Sequence, residues 1–167
     1  MFYRDRPLAI ATYGPIKYWQ TSRVKCMRTR FKGRDMTDVD LDLWCVRSVV
    51  HFDEMFEGAT NFTCHLSKWN TTAATSMNSM FANMSGNPEV GGWHVQNLIH
   101  ANRFMQNNPA FDRTISECRL FKLKYAAHMF DGAIAFTGGV IHGARTLVDA
   151  QYMFANSGVV SVNISMR

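Results

Sequence analysis

The sequence has no apolar run long enough to cross a bilayer, and its start, MFYRDRPLAIATYGPIKYW, lacks the apolar core of about 7 to 15 residues that a signal peptide needs. Cysteines are few and match no zinc-ligand spacing, so we expect free thiols, no metal and no cofactor. They are Cys26, Cys45, Cys64 and Cys118. These absences favour an intracellular chain without a transmembrane segment, although they do not name its compartment.

A period of about 25 residues runs through the chain. MFEGATNF at 55–62 returns as MFDGAIAF at 129–136. Aromatic residues in the same local context are Phe31, Phe56, Phe81, Phe104, Phe130 and Phe154. A second column, 11 or 12 residues earlier, reads Trp19, Trp44, Trp69, Trp93, Cys118 and Gly143. Aligned apolar columns of this kind predict repeated units that bury their faces against one another.

The columns also predict local structure. The short apolar stretch that ends at each Trp position predicts a strand that pairs with the next unit. Met77, Met80 and Phe81 fall at i, i+3 and i+4, which predicts a short helix. Each helix is expected to stop at a residue that tolerates a left-handed backbone. The residues two past each Phe are Gly33, Gly58, Asn83, Gln106, Gly132 and Asn156.

The predicted fold class is therefore an α/β solenoid, in which parallel stacked coils each contain one short strand and one short helix. Six coils and a truncated seventh are expected in a single domain over residues 1–167. Residues 1–14 are predicted to form an N-terminal cap, residues 15–158 the six coils, and residues 159–167 the partial seventh.

Two stretches, YGPIKYWQTSRV and LSKWNTTAATSMNSMF, resemble the 25-residue repeats of BspA-type bacterial surface proteins, which are related to leucine-rich repeats. The resemblance extends over residues 8–164. Members of that family occur on bacterial and mycoplasma surfaces, in marine protists and in large DNA viruses. The resemblance implies a protein-binding or structural role without a reaction. Coils five and six depart from the pattern, since Cys118 and Gly143 replace Trp.

The net charge of +5 is unevenly distributed. Residues 1–34 hold nine Lys or Arg and one acid, whereas residues 35–57 hold one Arg and seven acids. Clustered cations are what phosphate binding requires. The 25-residue period, however, places Lys17 beside Asp42, Arg28 beside Asp53 and Lys32 beside Glu57, which would neutralise half of the patch. The cations left for a partner include Arg23, Lys25, Arg30 and Arg34.

Two further groups are candidate sites. The C-terminal stretch VVSVNISMR supplies Val159, Val160, Val162 and Ile164, a candidate surface for a partner chain or a second copy. One column places His65 between Asp40 and Glu89, a candidate charge ladder on the outer face of coils two to four.

Catalysis is disfavoured. Cys26 and His51 share one position in adjacent coils, but Ser76 follows there and no third orienting group is evident. We therefore expect a non-enzymatic structural or protein–protein interaction subunit, a scaffold within a larger assembly. The alternatives are an exported surface adhesin and a nucleic-acid binder that uses the basic first coil. Nucleic acid is the less favoured partner, because no aromatic residues alternate with the cations for base stacking.

Overall fold

The computed structural model describes residues 5–115 and 118–165. Helix α1 spans Arg6–Tyr13, and a 3₁₀ helix of three residues follows at Ile16–Tyr18. Strands β1 (Gly138–His142) and β2 (Ser161–Ser165) pair in parallel, from Gly138 opposite Ser161 to His142 opposite Ser165. Turns, bends, isolated bridges and irregular backbone make up most of the remaining described chain.

Helix α1 has clear start and stop signals. The Asp5 side chain accepts a hydrogen bond from the Leu8 N–H at 2.9 Å, and Pro7 lies in the first turn, where no backbone donor is needed. Gly14 ends the helix with a φ of 73°. The Arg6 guanidinium donates to the carbonyls of residues 37 and 38, both at 3.0 Å, which ties the helix to the chain beyond it.

The prediction of an α/β solenoid of strand-plus-helix coils is wrong, and so is the leucine-rich-repeat-like arrangement that went with it. Among the described residues only α1 is an α-helix, and it lies outside the predicted coils. Where helical turns were predicted, the backbone reverses its handedness: Thr29, Glu54 and Ser79 have φ values of 57°, 56° and 52°. An α-helix cannot pass through a left-handed residue without losing its hydrogen-bond series.

The predicted strand is also absent before each of the four Trp residues, although β1 (Gly138–His142) lies at the corresponding position before Gly143. The Trp44 N–H bonds to the Leu41 carbonyl at 3.0 Å, and the Trp69 N–H bonds to the Leu66 carbonyl at 3.0 Å. A bond to the third residue back closes a turn, which is incompatible with an extended strand. The strand pair that does form, β1 with β2, lies near the C-terminal end of the described chain.

A lateral ladder of backbone hydrogen bonds takes the place of helices and strands. Between residues 27 and 33 every second N–H donates to a carbonyl 24 positions on: Met27 to His51, Thr29 to Asp53, Phe31 to Met55 and Gly33 to Glu57, at 2.7 to 3.1 Å. The same pattern joins six stretches, called here the first to sixth ladder segments. They are residues 26–33, 51–58, 76–83, 100–107, 125–132 and 149–156.

The core lies beneath the ladder segments and the turns that connect them. Phe56 stacks between Phe31 and Phe81 at ring-centroid distances of 5.4 and 5.5 Å, and Trp69 stacks on Trp93 at 6.1 Å. Each indole N–H also reaches back across the stack. Trp69 donates to the Leu41 carbonyl at 3.2 Å, and Trp93 donates to the Leu66 carbonyl at 2.9 Å. The Trp column therefore both fills the core and joins neighbouring turns.

The two positions that replace Trp behave differently. The buried Cys118 thiol lies 3.5 Å from the Val90 carbonyl, which is the bond that an indole makes elsewhere in the column. At Gly143 the ring of Phe121 occupies the space, since a Cβ built there would lie 2.2 Å from Phe121 Cδ1. The sequence departure at these positions therefore changes how neighbouring turns contact one another.

Gly33 and Gly132 occupy the same ladder position with φ values of 61° and 75°, and they provide a matched test of the packing. Gly33→Ala should cost about 1 to 2 kcal/mol of unfolding free energy, the penalty for a left-handed L-residue, because no atom lies within 4 Å of its new Cβ. Gly132→Ala should cost more, because its Cβ would lie 2.7 Å from Asn107 Oδ1 and displace an amide bonded to Asn83. Urea denaturation compares the two, and equal losses would contradict the close approach at Gly132.

Candidate interaction surface

The outer face of the ladder carries one bridged position per segment. Parallel bridges join Cys26, His51, Ser76, His100, Tyr125 and Asp149 in succession. The residue after each of the first five is buried. The residues two and three positions after each of these five bridged residues are exposed or partly exposed, except Asp53, which is buried. The ladder therefore holds three rows of polar and aromatic side chains at fixed spacing on one face.

Asp53 is the centre of a polar network in this face. Its carboxylate accepts from the Arg28 guanidinium at 2.8 Å, the Ser76 hydroxyl, and the backbone and side-chain N–H groups of Asn78 at 3.1 and 3.0 Å. Only 9% of the residue is exposed. Burial raises the pKa of Asp53, but the hydrogen bonds from Ser76, Arg28 and Asn78 outweigh it and hold that pKa below its ordinary value.

The network continues along the ladder as a chain of amides. Asn78 Oδ1 accepts from the Asn102 N–H at 2.9 Å, and Asn102 Oδ1 accepts from the Ala127 N–H at 2.9 Å. These N–H groups alternate with those that form the backbone ladder. The Asp and Asn side chains thus accept hydrogen bonds from backbone N–H groups that do not take part in the backbone ladder.

Charged side chains crowd the outer face of the first two segments. The predicted pairs Arg28–Asp53 and Lys32–Glu57 are confirmed, at 2.8 and 2.9 Å, and Lys32 also lies 2.6 Å from Glu54. The predicted Lys17–Asp42 pair is wrong. Lys17 lies 3.7 Å from Asp40, and Asp42 pairs instead with Lys68 at 2.7 Å.

Aromatic pairs occupy the same face in the last three segments. The rings of His100 and Tyr125 stack with centroids 4.9 Å apart, and those of His128 and Tyr152 stack at 5.0 Å. Tyr152 is 65% exposed. His128 Nδ1 also lies 2.8 Å from the Asp131 carboxylate, which lowers the pKa of Asp131. We call His100, Tyr125, His128 and Tyr152 the aromatic patch.

Sequence reasoning missed the aromatic patch. His100 and Tyr125 continue the column of Cys26, His51 and Ser76, so extending that column by two positions would have found the first pair. His128 and Tyr152 occupy a left-handed position, with a φ of 55° each. Residues of many types occupy that position in the other segments, so nothing in the sequence indicated the pair formed by His128 and Tyr152.

The predicted cations of the first segment lie at the surface. Arg23, Lys25, Arg30 and Arg34 are all exposed, and in the sequence they lie on either side of Arg28, which pairs with Asp53. The candidate binding surface that they form stays a prediction.

The C-terminal candidates divide into two kinds. Val159 is half-buried against the core, whereas Val160 is 93% exposed. Val162 and Ile164 lie in β2 opposite Gly139 and Ile141, and their side chains are outside the described part of the chain. Residues 1–4 of the predicted cap and residues 166–167 of the predicted seventh coil are outside it as well.

The predicted charge ladder is seen only in parts. His65 Nδ1 lies 3.9 Å from the Glu89 carboxylate, and Glu89 also lies 4.0 Å from Arg113. Asp40 contacts Lys17, as described above. The three-residue ladder of Asp40, His65 and Glu89 stays a prediction.

Thiols and clefts add little chemistry. All four cysteines are free, and burial raises the pKa of the Cys64 thiol to about 12, which leaves it protonated and unreactive. No group of three or more metal-ligating side chains occurs within residues 5–115 and 118–165. A cleft of about 660 Å³ is lined by Gly92, Trp93, His94, Gln96, Arg119 and Phe121.

The chain belongs to the family described as Mycoplasma protein of unknown function, DUF285, whose model matches residues 1–117 and 85–166. No curated protein and no solved structure matches it. In the part of the chain that the structure describes, no helix has the length and apolar character needed to span a bilayer.

The Asp53 network can be tested through stability. Asp53→Ala should lower the unfolding free energy by about 1 to 3 kcal/mol, because Ser76 and Asn78 lose a buried acceptor. Asp42→Asn, which breaks the more exposed pair with Lys68, should cost less than about 1 kcal/mol. Urea denaturation at neutral pH measures both.

The pH dependence has a definite sign. Because the folded pKa of Asp53 is depressed, its contribution is present above the unfolded pKa and is lost as pH falls through the folded value, within a window below about pH 5. In Asp53→Asn that acid-dependent loss should disappear. Parallel stability curves for the wild type and Asp53→Asn down to about pH 2 would contradict the assigned network.

Proposed function

We propose that the protein is a non-catalytic interaction subunit that binds a partner protein through the outer face of its ladder. The observation that carries the proposal is the aromatic patch, where two stacked ring pairs lie at the surface on a hydrogen-bonded backbone. Tyrosine contributes a large contact area with few rotatable bonds, and it is enriched at protein interfaces. Stacking reduces that freedom further, so little entropy is lost on binding.

The polar half of the same face supports recognition as well. Asp53, Arg28 and Lys32 are held by several hydrogen bonds and ion pairs each, so their positions are set before a partner arrives. A partner surface that matches this charged half and the aromatic half would bind in one orientation. Binding of a partner in one fixed orientation is consistent with a structural or scaffold role.

The resemblance to BspA-type repeats supports the same class of function. This support comes from the resemblance alone, because the matched family is described as being of unknown function. A surface adhesin would use the same aromatic patch on a different partner, so it is a variant of the proposal that differs in location.

The proposal is tested by placing a photo-crosslinking phenylalanine analogue at Tyr125. Cross-linking in the native host should give one discrete protein adduct, and added wild-type protein should suppress it by competition. A Tyr125→Ser, Tyr152→Ser competitor should suppress it far less. The matched control places the same analogue at Tyr18, which is 58% exposed near the N-terminus and should give no such adduct. Equal adducts at both positions, or equal competition by the two proteins, would refute the aromatic patch as the binding site.

Nucleic-acid binding is a second candidate, favoured by the exposed Arg23, Lys25 and Arg30. If it operates, the affinity for a mixed-sequence duplex should fall steeply with salt, and each Arg→Ala change should lower the slope of log K against log salt by about 1. Fluorescence anisotropy measures this, with Arg103→Ala as a control at an exposed arginine of the fourth ladder segment. A slope that is the same for all variants would exclude this candidate.

A further inference from the structure

The two outer edges of the ladder carry opposite hydrogen-bonding groups. In each of the first five segments, four alternate N–H groups donate to the following segment. The corresponding groups of the sixth segment are the N–H groups of Ala150, Tyr152, Phe154 and Asn156. Within residues 5–115 and 118–165 these four donors have no hydrogen-bond acceptor. We call this row the donor edge.

The first segment shows the converse. The carbonyls of later segments accept from the segment before, as those of His51, Asp53, Met55 and Glu57 do. The equivalent carbonyls of the first segment belong to Cys26, Arg28, Arg30 and Lys32. In the described chain only the Arg28 carbonyl accepts a bond, from the Thr29 hydroxyl at 2.8 Å, and a carbonyl has room for a second. We call this row the acceptor edge.

These edges restrict how two copies can join. Two donor edges cannot pair, because neither supplies an acceptor, and two acceptor edges fail for the converse reason. A donor edge and an acceptor edge have the same residue spacing and the same polarity as every junction inside the chain. Head-to-tail contact is the arrangement in which all these groups find partners.

Charge favours the same arrangement. Residues 146–158, around the donor edge, contain one acid, Asp149, and no Lys or Arg. The acceptor edge carries the exposed side chains of Arg28, Arg30 and Lys32. Arg28 and Lys32 pair with acids of the second segment, so the charge that favours this junction comes mainly from Arg30, which would meet an anionic or neutral row.

Most core side chains are covered at both edges, although Ala150 is exposed and Phe154 is only partly buried in the sixth segment. Met27 and Phe31 are 2% and 3% exposed in the first segment, and Met153 is 5% exposed in the sixth. What remains open is a row of backbone groups and, beside the donor edge, the exposed side chains of Val148, Tyr152 and Val160. An unpaired row of backbone groups of this kind is a template for pairing with another chain.

We infer that this protein associates with further copies of itself head to tail, the donor edge of one copy pairing with the acceptor edge of the next. The inference goes beyond the proposed function, because it uses the two edges of the ladder and not the aromatic patch, and its partner is a second copy of this chain. The contact is heterologous because two different edges meet, and the assembly stays open when the ladder continues in one direction from copy to copy without closing into a ring. Its mass rises with concentration and does not stop at a dimer.

Sedimentation velocity of the full chain across a concentration series tests this. The wild type should show an average mass that increases continuously beyond two copies. Ala150→Pro removes one edge donor at an exposed site and should weaken association about tenfold. Gln151→Lys, which faces the cations of the acceptor edge, should weaken it by up to about fivefold, and Gln151→Glu should strengthen it by a similar factor.

Reversal of the charge on the other edge identifies the partner surface. In an Arg30→Glu background the difference between the two Gln151 variants should shrink, because the acceptor edge loses a cation and gains an acid while Arg28 and Lys32 remain. Ser67→Lys adds the same charge at an exposed position away from both edges and is the control, which should match the wild type. Unchanged circular dichroism spectra and melting temperatures establish that each variant folds.

Three outcomes would overturn the inference: a monomer at every concentration, a closed dimer that grows no further, or association that is the same in all variants. Each is distinguishable from failure of the proposed function. A chain that stays monomeric while Tyr125 cross-links to a different protein loses the head-to-tail contact and keeps its interaction role.

Discussion

The lateral hydrogen bond between residues 23 or 24 apart is the interaction on which the rest of this structure depends. It takes every second N–H of a ladder segment away from the local backbone and gives it to the next segment. The intervening N–H groups at residues 30, 32 and 34 bond three residues back instead. A continuous helix would need both sets for its own series, so lateral pairing and an α-helix exclude each other here. The backbone accommodates the lateral bonds by adopting a left-handed conformation at residues such as Thr29, whose φ is 57°.

Once the ladder is in place, side chains have two tasks. Inside, rings repeat at the ladder spacing, so Phe56 finds Phe31 on one side and Phe81 on the other. Outside, oxygen-bearing side chains such as those of Asp53 and Asn78 accept from N–H groups left over by the backbone. A buried donor without an acceptor costs about 1 to 3 kcal/mol, so these side chains are part of the ladder.

The sequence predicts the side-chain columns far better than the backbone that carries them. The Phe column is buried at Phe56 and Phe81, and Trp69 is buried as well, because apolar residues at a fixed period have to meet in the core. Gly33 and Gly58 are left-handed as predicted, since glycine marks such positions, while in the fourth segment the position falls to Asn107 and not to Gln106. The second left-handed position in each segment has no such mark. It is filled by Thr29, Glu54, Ser79, Arg103, His128 and Tyr152, and spacing alone therefore predicted a helix.

The backbone of the ladder repeats from segment to segment, but the outward-facing side chains change along it. This change defines the candidate surface. In the first two segments the outward rows hold Arg28, Lys32, Asp53 and Glu54, which neutralise one another. From His100 onward two of these rows also hold the rings of the aromatic patch, which stack in pairs. Equivalent residues of successive segments lie side by side in the ladder. The change in side chains therefore divides the outer face into a charged half and an aromatic half. A partner that contacts both halves has only one way to align with the rows, so the direction of the ladder fixes the direction of binding.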